Sequence, residues 1–290
     1  MCDAHIHFFS KRYFDLLGTG VEPLADLAIE APPAEPLQLA ELWKDQLDKH
    51  GVARAALIAS IPGDEGSVEM ATEAFPDRFW GQFFVNPLAA DAADRLAAVL
   101  GRGNLRVPCL FPAMHGYSLT DARVTALLDA LAGTPKPVAL VHCGVLSVGI
   151  RRKLGLPSRF DMRYSNPIDL HPVALRYPQI RFVVPHFGAG YFREALMLAD
   201  LCPNIYFDTS SSNSWMRYQV PDIDLAAVFR KAVGVLGPQR LLFGTDSSFF
   251  PRGWNRAVYE QQAKAMQEAG LSEADQRAIL GGNLESLLDG

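Results

Sequence analysis

Apolar runs rich in Val, Ile, Leu and Phe recur at residues 2–7, 53–59, 79–85, 105–111, 137–142, 180–185, 204–208 and 240–245. Between them, segments such as LAELWKDQLDKHG, AADAADRLAAVLG and DARVTALLDALAG place apolar residues three and four apart, the spacing of one helix face. Their glycines predict helix ends at Gly51, Gly101 and Gly133. Continuously apolar strands suit a parallel sheet covered on both sides, and eight strand–helix repeats fit a closed, TIM-like (β/α)8 barrel. An open doubly wound sheet is the competing arrangement. At 290 residues the chain matches one such barrel, so a single domain over 1–290 is expected. Three connections are long, at 8–36, 143–165 and 209–224, and are expected to wall a site or form a lid.

Composition narrows the partners. Apolar residues make up 49% of the chain and charged residues 20%, enough to bury a large core. A formal net charge of −5 offers no basic face to nucleic acid and no polybasic patch to anionic lipid, which leaves a small-molecule substrate. No apolar stretch approaches the roughly 20 residues that span a bilayer, and the N-terminus carries no cleavable leader, so a cytoplasmic protein is expected. Cys2, Cys109, Cys143 and Cys202 are irregularly spaced, and reduced thiols are anticipated. A homodimer is the base-rate expectation for assembly.

Against this frame, metal-type side chains fall at the ends of strands. His5 and His7 in CDAHIHFF stand two apart on a strand, so both imidazoles leave one face. His142 follows PVALV, His186 follows IRFVVP, and Asp246 follows RLLFGT. A barrel brings strands 1 and 8 together and gathers all strand exits at its C-terminal face, where an open sheet need not. The expected arrangement has His5, His7, His142 and Asp246 holding one divalent ion. Zinc is favoured by ligand type, and manganese, iron, cobalt and nickel also suit the donor set. Such a site lowers the pKa of a water towards neutrality. His186 is expected to polarise a substrate oxygen or shuttle a proton, and Asp246 to take the proton of the attacking water.

This ordered set resembles the amidohydrolase superfamily, in particular the amidohydrolase-related group that contains small metal-dependent hydrolases and aminocarboxymuconate-semialdehyde-type decarboxylases. The resemblance is carried by Asp3-Ala4-His5-Ile6-His7, Val141-His142-Cys143-Gly144, Pro185-His186-Phe187-Gly188, Phe243-Gly244-Thr245-Asp246 and a closing Ile279-Leu280-Gly281-Gly282-Asn283. It implies a distorted eight-stranded barrel with a mononuclear site, His5, His7 and Asp246 being the firmest ligands. Two-metal relatives bridge their ions with a carbamylated Lys, or with Glu, at the end of strand 4. Here that segment reads LRVPCLFP, with Cys109 near the bridging position. One ion is therefore expected, and a second beside Cys109 is the lesser alternative.

Several further residues are candidates for the pocket. His115 in FPAMHGYS follows strand 4, and Arg252 and Trp254 in SSFFPRGWN follow Asp246; these three are expected to contact substrate, Arg252 as clamp for a carboxylate and Trp254 as a stacking surface. Arg151, Arg152, Arg159 and Arg163 could do likewise from the strand 5 connection. Asp3 either supports a ligand histidine or closes its strand. Hydrolysis of a small ester, lactone or amide of a carboxylic acid is the first expectation. Non-oxidative decarboxylation of an aromatic or unsaturated carboxylic acid is the alternative, and a barrel that binds metal but has lost catalysis is the third.

Overall fold

The apolar runs become strands because β-branched and aromatic side chains can be buried on both faces of the sheet at once. In a computed structural model that describes residues 1–158, 160–211 and 213–289, they form β1 (Cys2–His7), β2 (Arg54–Ala59), β3 (Phe79–Val85), β4 (Leu105–Leu110), β5 (Val138–Val141), β6 (Arg181–Val184), β7 (Ile205–Asp208) and β8 (Leu241–Leu242). Arg159, one of the candidate arginines, lies outside the described residues. Every strand pairs in parallel with its sequence neighbours, in the order β1 to β8.

Closure is made by residues past β8. Ala4 N donates to Phe243 O at 2.8 Å, Asp246 N to His5 O at 3.0 Å and His7 N to Ser247 O at 2.8 Å. A single parallel bridge joins Ile6 to Ser247. The sheet is thus a nearly closed TIM barrel, and the open sheet is excluded. The paired part of β8 is shorter than the apolar run at 240–245, and the chain turns sharply at Asp246, whose φ is +57°.

Alternation along the strands separates two packing layers. On β2, Ala55, Leu57 and Ala59 face the surrounding helices, while Ala56 and Ile58 face the barrel interior. Leu284, Leu287 and Leu288 of the last helix, Asn283–Leu288, join the interior layer. Cys109 belongs to that layer too, fully buried among Phe84, Phe111 and Leu140, with burial pushing its thiol well up. A thiolate bridge for a second ion is therefore corrected: Cys109 is core, and among the described residues no cluster of metal-type donors forms around it.

The helix ends follow the glycines with one shift. Helix Pro36–His50 stops at Gly51 in the left-handed region and Ala122–Ala132 at Gly133. Helix Ala92–Arg102 runs through Gly101 and stops at Gly103, φ +80°, because a glycine inside a helix only weakens it, whereas the residue past the end must adopt positive φ. Above the C-terminal face, Phe9, Tyr13, Phe14, Leu24, Ile29 and Ile150 form a small apolar cluster of their own, joined by Phe249. The connections after β1, β5 and β8 thereby brace one another over the barrel mouth.

Candidate metal centre

β1 ends with His5 and His7 turned to the same side, and the chain beyond β8 brings Asp246 against them. One donor atom from each of the three lies within 4.8 Å of the others. His7 Nε2 is 3.2 Å from Asp246 Oδ1, and His5 Nε2 is 3.9 Å from the same oxygen. The opposite ring nitrogens are already committed: His5 Nδ1 to Asp208 Oδ2 at 2.5 Å and His7 Nδ1 to Ser60 Oγ at 2.7 Å. Ser60 donates its own hydrogen to Ile58 O, so it accepts from His7. His5 Nε2 is buried with no protein partner. Two imidazole lone pairs and a carboxylate oxygen aimed at one point repel one another unless a cation or a proton sits between them, and this donor set fits a divalent metal.

Electrostatics agrees with that fit. Burial pulls the His5 imidazolium down, but Asp208, Asp246 and Asp3 outweigh it and raise it to about 9. The same field that would hold a proton there favours a metal cation. Burial works against ionisation of Asp246 and Asp208, yet the neighbouring imidazoles keep both carboxyls below their usual range. Burial lowers His7, His142 and His186, so these rings are neutral and able to ligate or accept protons near pH 7.

His142 and His186 stand at the exits of β5 and β6. The His186 ring lies 5.1 Å from that of His5, centroid to centroid, and 5.4 Å from that of His142. Its Nδ1 meets Ser210 Oγ at 2.9 Å and Ser210 O at 3.1 Å. His142 stacks on Phe111 at 5.2 Å, and its buried Nδ1 has no protein partner. It does not share the tight grouping of His5, His7 and Asp246, and the expected fourth ligand stands one ring further out. Strained backbone accompanies these side chains. Asp246, His186 and Phe187 all have positive φ, a conformation that persists where the surroundings enforce it and that gathers at functional sites.

All these rings open into a cavity of about 1070 Å³ at the barrel mouth. Its walls are aromatic, with Phe9, Tyr13, Phe84, Phe111, Phe160, Trp215 and Phe249, and carry Arg151, Arg152, Arg217 and Arg252, against Asp246 as the one acidic residue among the described lining. His115 and Arg252 stand in the cavity wall. Arg252 is held from behind, donating to Ser248 Oγ at 2.8 Å with its guanidinium 4.7 Å over the Phe249 ring. Arg163 is turned away and paired with Asp161.

Trp254 is a correction. It is 2% exposed, does not line the cavity, and donates its indole N–H to Asp3 Oδ2 at 2.8 Å. Asp3 also accepts from Thr245 Oγ1 at 2.6 Å, from Thr245 N at 3.1 Å and from His5 N at 2.9 Å. Trp254 and Asp3 therefore lock the barrel seam, leaving no indole face for substrate. Asp208 and Arg217 also belong to the site and its wall, although neither was among the residues expected from the sequence. Asp208 ends an apolar run as His142 and Asp246 follow theirs, and Arg217 lies in the long 209–224 connection, so both signals were present.

Residues 2–289 match the sequence profile of a family described as amidohydrolase. A curated relative, Protein fluG of Emericella nidulans, is 32% identical over 87 residues, which is 30% of this chain and 10% of that protein's length. Among solved structures, 5-carboxyvanillate decarboxylase from Sphingomonas paucimobilis superposes with a TM-score of 0.65 at 16% identity, covering 100% of this chain and 98% of its own. An amidohydrolase from Burkholderia multivorans with bound zinc gives 0.66 at 18%, covering 99% and 98%.

Proposed function

The chain belongs to the amidohydrolase family, whose members are enzymes, and from that premise we propose that it is a metal-dependent hydrolase of a small ester, lactone or amide bearing a carboxylate. The observation that carries the proposal is the approach of His5 Nε2 and His7 Nε2 to one oxygen of Asp246 at the base of a cavity walled by aromatic rings and arginines. A divalent cation held by these three, zinc first, supplies Lewis acidity and makes a water more acidic. His142, one ring out, is the fourth ligand in this reading once the site is loaded.

The protein's own groups then divide the work. Asp246, ionised and open to the cavity, takes a proton from the attacking water as its oxygen bonds to the carbonyl carbon and the carbonyl electron pair moves onto oxygen. Collapse of that adduct breaks the bond to the leaving oxygen or nitrogen, which receives the same proton. Arg252, fixed by Ser248 and Phe249, pairs with the substrate carboxylate, while the half-buried Phe249 adds an apolar wall beside it. His115 completes the wall on the β4 side.

The aromatic walls favour a second reading, decarboxylation of an aromatic or unsaturated acid in the same pocket. Parallel assays separate the two: proton release from carboxylated lactones and esters, against carbon dioxide release from hydroxybenzoates and muconates. Proton release that tracks about one equivalent of bound metal, and that falls at least a hundredfold in Asp246→Asn, is the expected result. Carbon dioxide release without hydrolysis establishes the second reading. Undiminished turnover in Asp246→Asn removes Asp246 from its role. A metal-loaded protein inactive on both sets is the result expected of a barrel that binds its ion without catalysis.

A further inference from the structure

The residues at the exit of β7 touch two of the site's imidazoles. Asp208, Thr209 and Ser210 are fully buried. Asp208 Oδ1 accepts the Ser210 backbone N–H at 2.6 Å, which leaves Oδ2 facing His5 Nδ1 at 2.5 Å. Thr209 donates its hydroxyl to Gln262 Oε1 at 2.6 Å, and Gln262 Nε2 donates back to Thr209 O at 3.0 Å and to Gly244 O at 2.9 Å. One buried amide from helix Arg256–Glu268 thus clamps the ends of β7 and β8 together. Gly244 is what permits the approach: a Cβ there would lie 3.0 Å from Asp208 Oδ1, His5 Cβ and Ser210 Cβ alike.

The proton positions follow from what each partner can do. An ionised carboxylate only accepts, so His5 Nδ1 carries the hydrogen of the Asp208 contact. A backbone carbonyl only accepts, so the His186 Nδ1 that faces Ser210 O carries one too. In neutral rings the remaining lone pair is then on Nε2 in both cases.

We infer that Asp208 and Ser210, neither of which lines the cavity, are positioning residues that hold the Nδ1–H form of His5 and of His186 and so present both Nε2 atoms as electron-pair donors. For His5 the consequence is ligand strength and orientation. For His186 it is a direction of proton flow: the resting ring has no hydrogen on Nε2 to give, so it receives the second O–H of the attacking water as a hydrogen bond instead of donating to the substrate oxygen. The inference deepens the hydrolytic reading and rests on it for the role of His186. A decarboxylase, which must protonate carbon, would require this ring to be charged first.

Nitrogen-15 NMR of the histidine rings tests the placement directly, on wild-type protein stripped of metal and held slightly above neutral pH, with His5→Gln and His186→Gln to assign signals. A proton on Nδ1 of His186, with its Nε2 bare, is expected; a proton on Nε2 of neutral His186 overturns the inference. Zinc competition against a chelator then reads the ligand side. Asp208→Asn offers one carbonyl oxygen to two N–H groups, and its zinc affinity is expected to fall about 10- to 100-fold with an unchanged circular dichroism spectrum. Ser210→Ala keeps the carbonyl and is expected to bind zinc within about twofold of wild type and to retain the His186 Nδ1 proton. Equal affinity in Asp208→Asn and wild type, or an equal loss in both variants, overturns the assignment. If the wild type takes up none of zinc, manganese, iron, cobalt and nickel, the hydrolytic reading fails, and the ring signals of the metal-free protein still decide where the protons sit.

Discussion

His115 shows what burial alone does to one ionisable side chain. Its Nδ1 is enclosed without a protein partner, and loss of hydration lowers its imidazolium from 6.5 to about 4. Between those values the unfolded chain binds the proton and the fold does not, so this residue makes stability fall as pH drops from about 6.5 to 4. By pH 4.5 the effect is roughly 2 kcal/mol. His115→Gln should remove that slope. Urea unfolding at pH 7 and at pH 4.5 should show the variant losing roughly 2 kcal/mol less than wild type, and identical losses would contradict the burial of the ring. The same scale shows why some residues were legible in the sequence and others were not. His5 and His7 declare themselves because a two-residue spacing on a strand fixes a shared face. Trp254 beside Arg252 looks like a substrate platform, since nothing local reveals that its N–H is spent on Asp3, a residue 251 positions away.

At the level of elements, the strand boundaries were readable almost to the residue, because a parallel strand in a barrel has no polar face to blur its edges. β8 is the exception, its apolar run continuing past the last ladder pair because the residues that follow bond across the seam to β1. What periodicity could not show is how closely the strand exits pack. Gly144, just past β5, has φ +83°, and a Cβ there would sit 2.2 Å from Gly188 O and 2.4 Å from Ala189 O. That contact sets the exit of β6, where His186 is held at positive φ. Gly144→Ala therefore forces two backbones apart and should destabilise by about 3 kcal/mol, a left-handed penalty joined to an overpacking one. Gly51→Ala is the comparison: its φ is +66° but nothing lies within 4 Å, so only the conformational penalty of about 1 kcal/mol is expected. Thermal unfolding of the two variants side by side checks this, and equal losses would show that the close approach of β5 and β6 carries no energy.

The barrel closes at a seam between its first and last strands, and the candidate metal centre lies across it. Seven parallel ladders run from β1 to β8, but the eighth junction consists of three backbone hydrogen bonds, one bridge and the Asp3 network with Thr245 and Trp254. His5 and His7 belong to one side of that junction and Asp246 to the other. An ion bound by all three therefore ties the first strand to the last, in addition to any chemistry it supplies. Metal binding to the folded state at a thousandfold excess over Kd adds about 4 kcal/mol, which for a chain of this size raises the melting temperature on the order of 10 °C. The gain should be local as well as global. On chelation, amide exchange should accelerate most at Ala4, His7 and Asp246, whose N–H groups make the junction, and least in the β3–β4 region on the far side of the barrel. Uniform acceleration around the barrel would mean that the ion stabilises the fold without bridging its seam. Unchanged exchange at those three amides, with zinc demonstrably removed, would place the ion elsewhere.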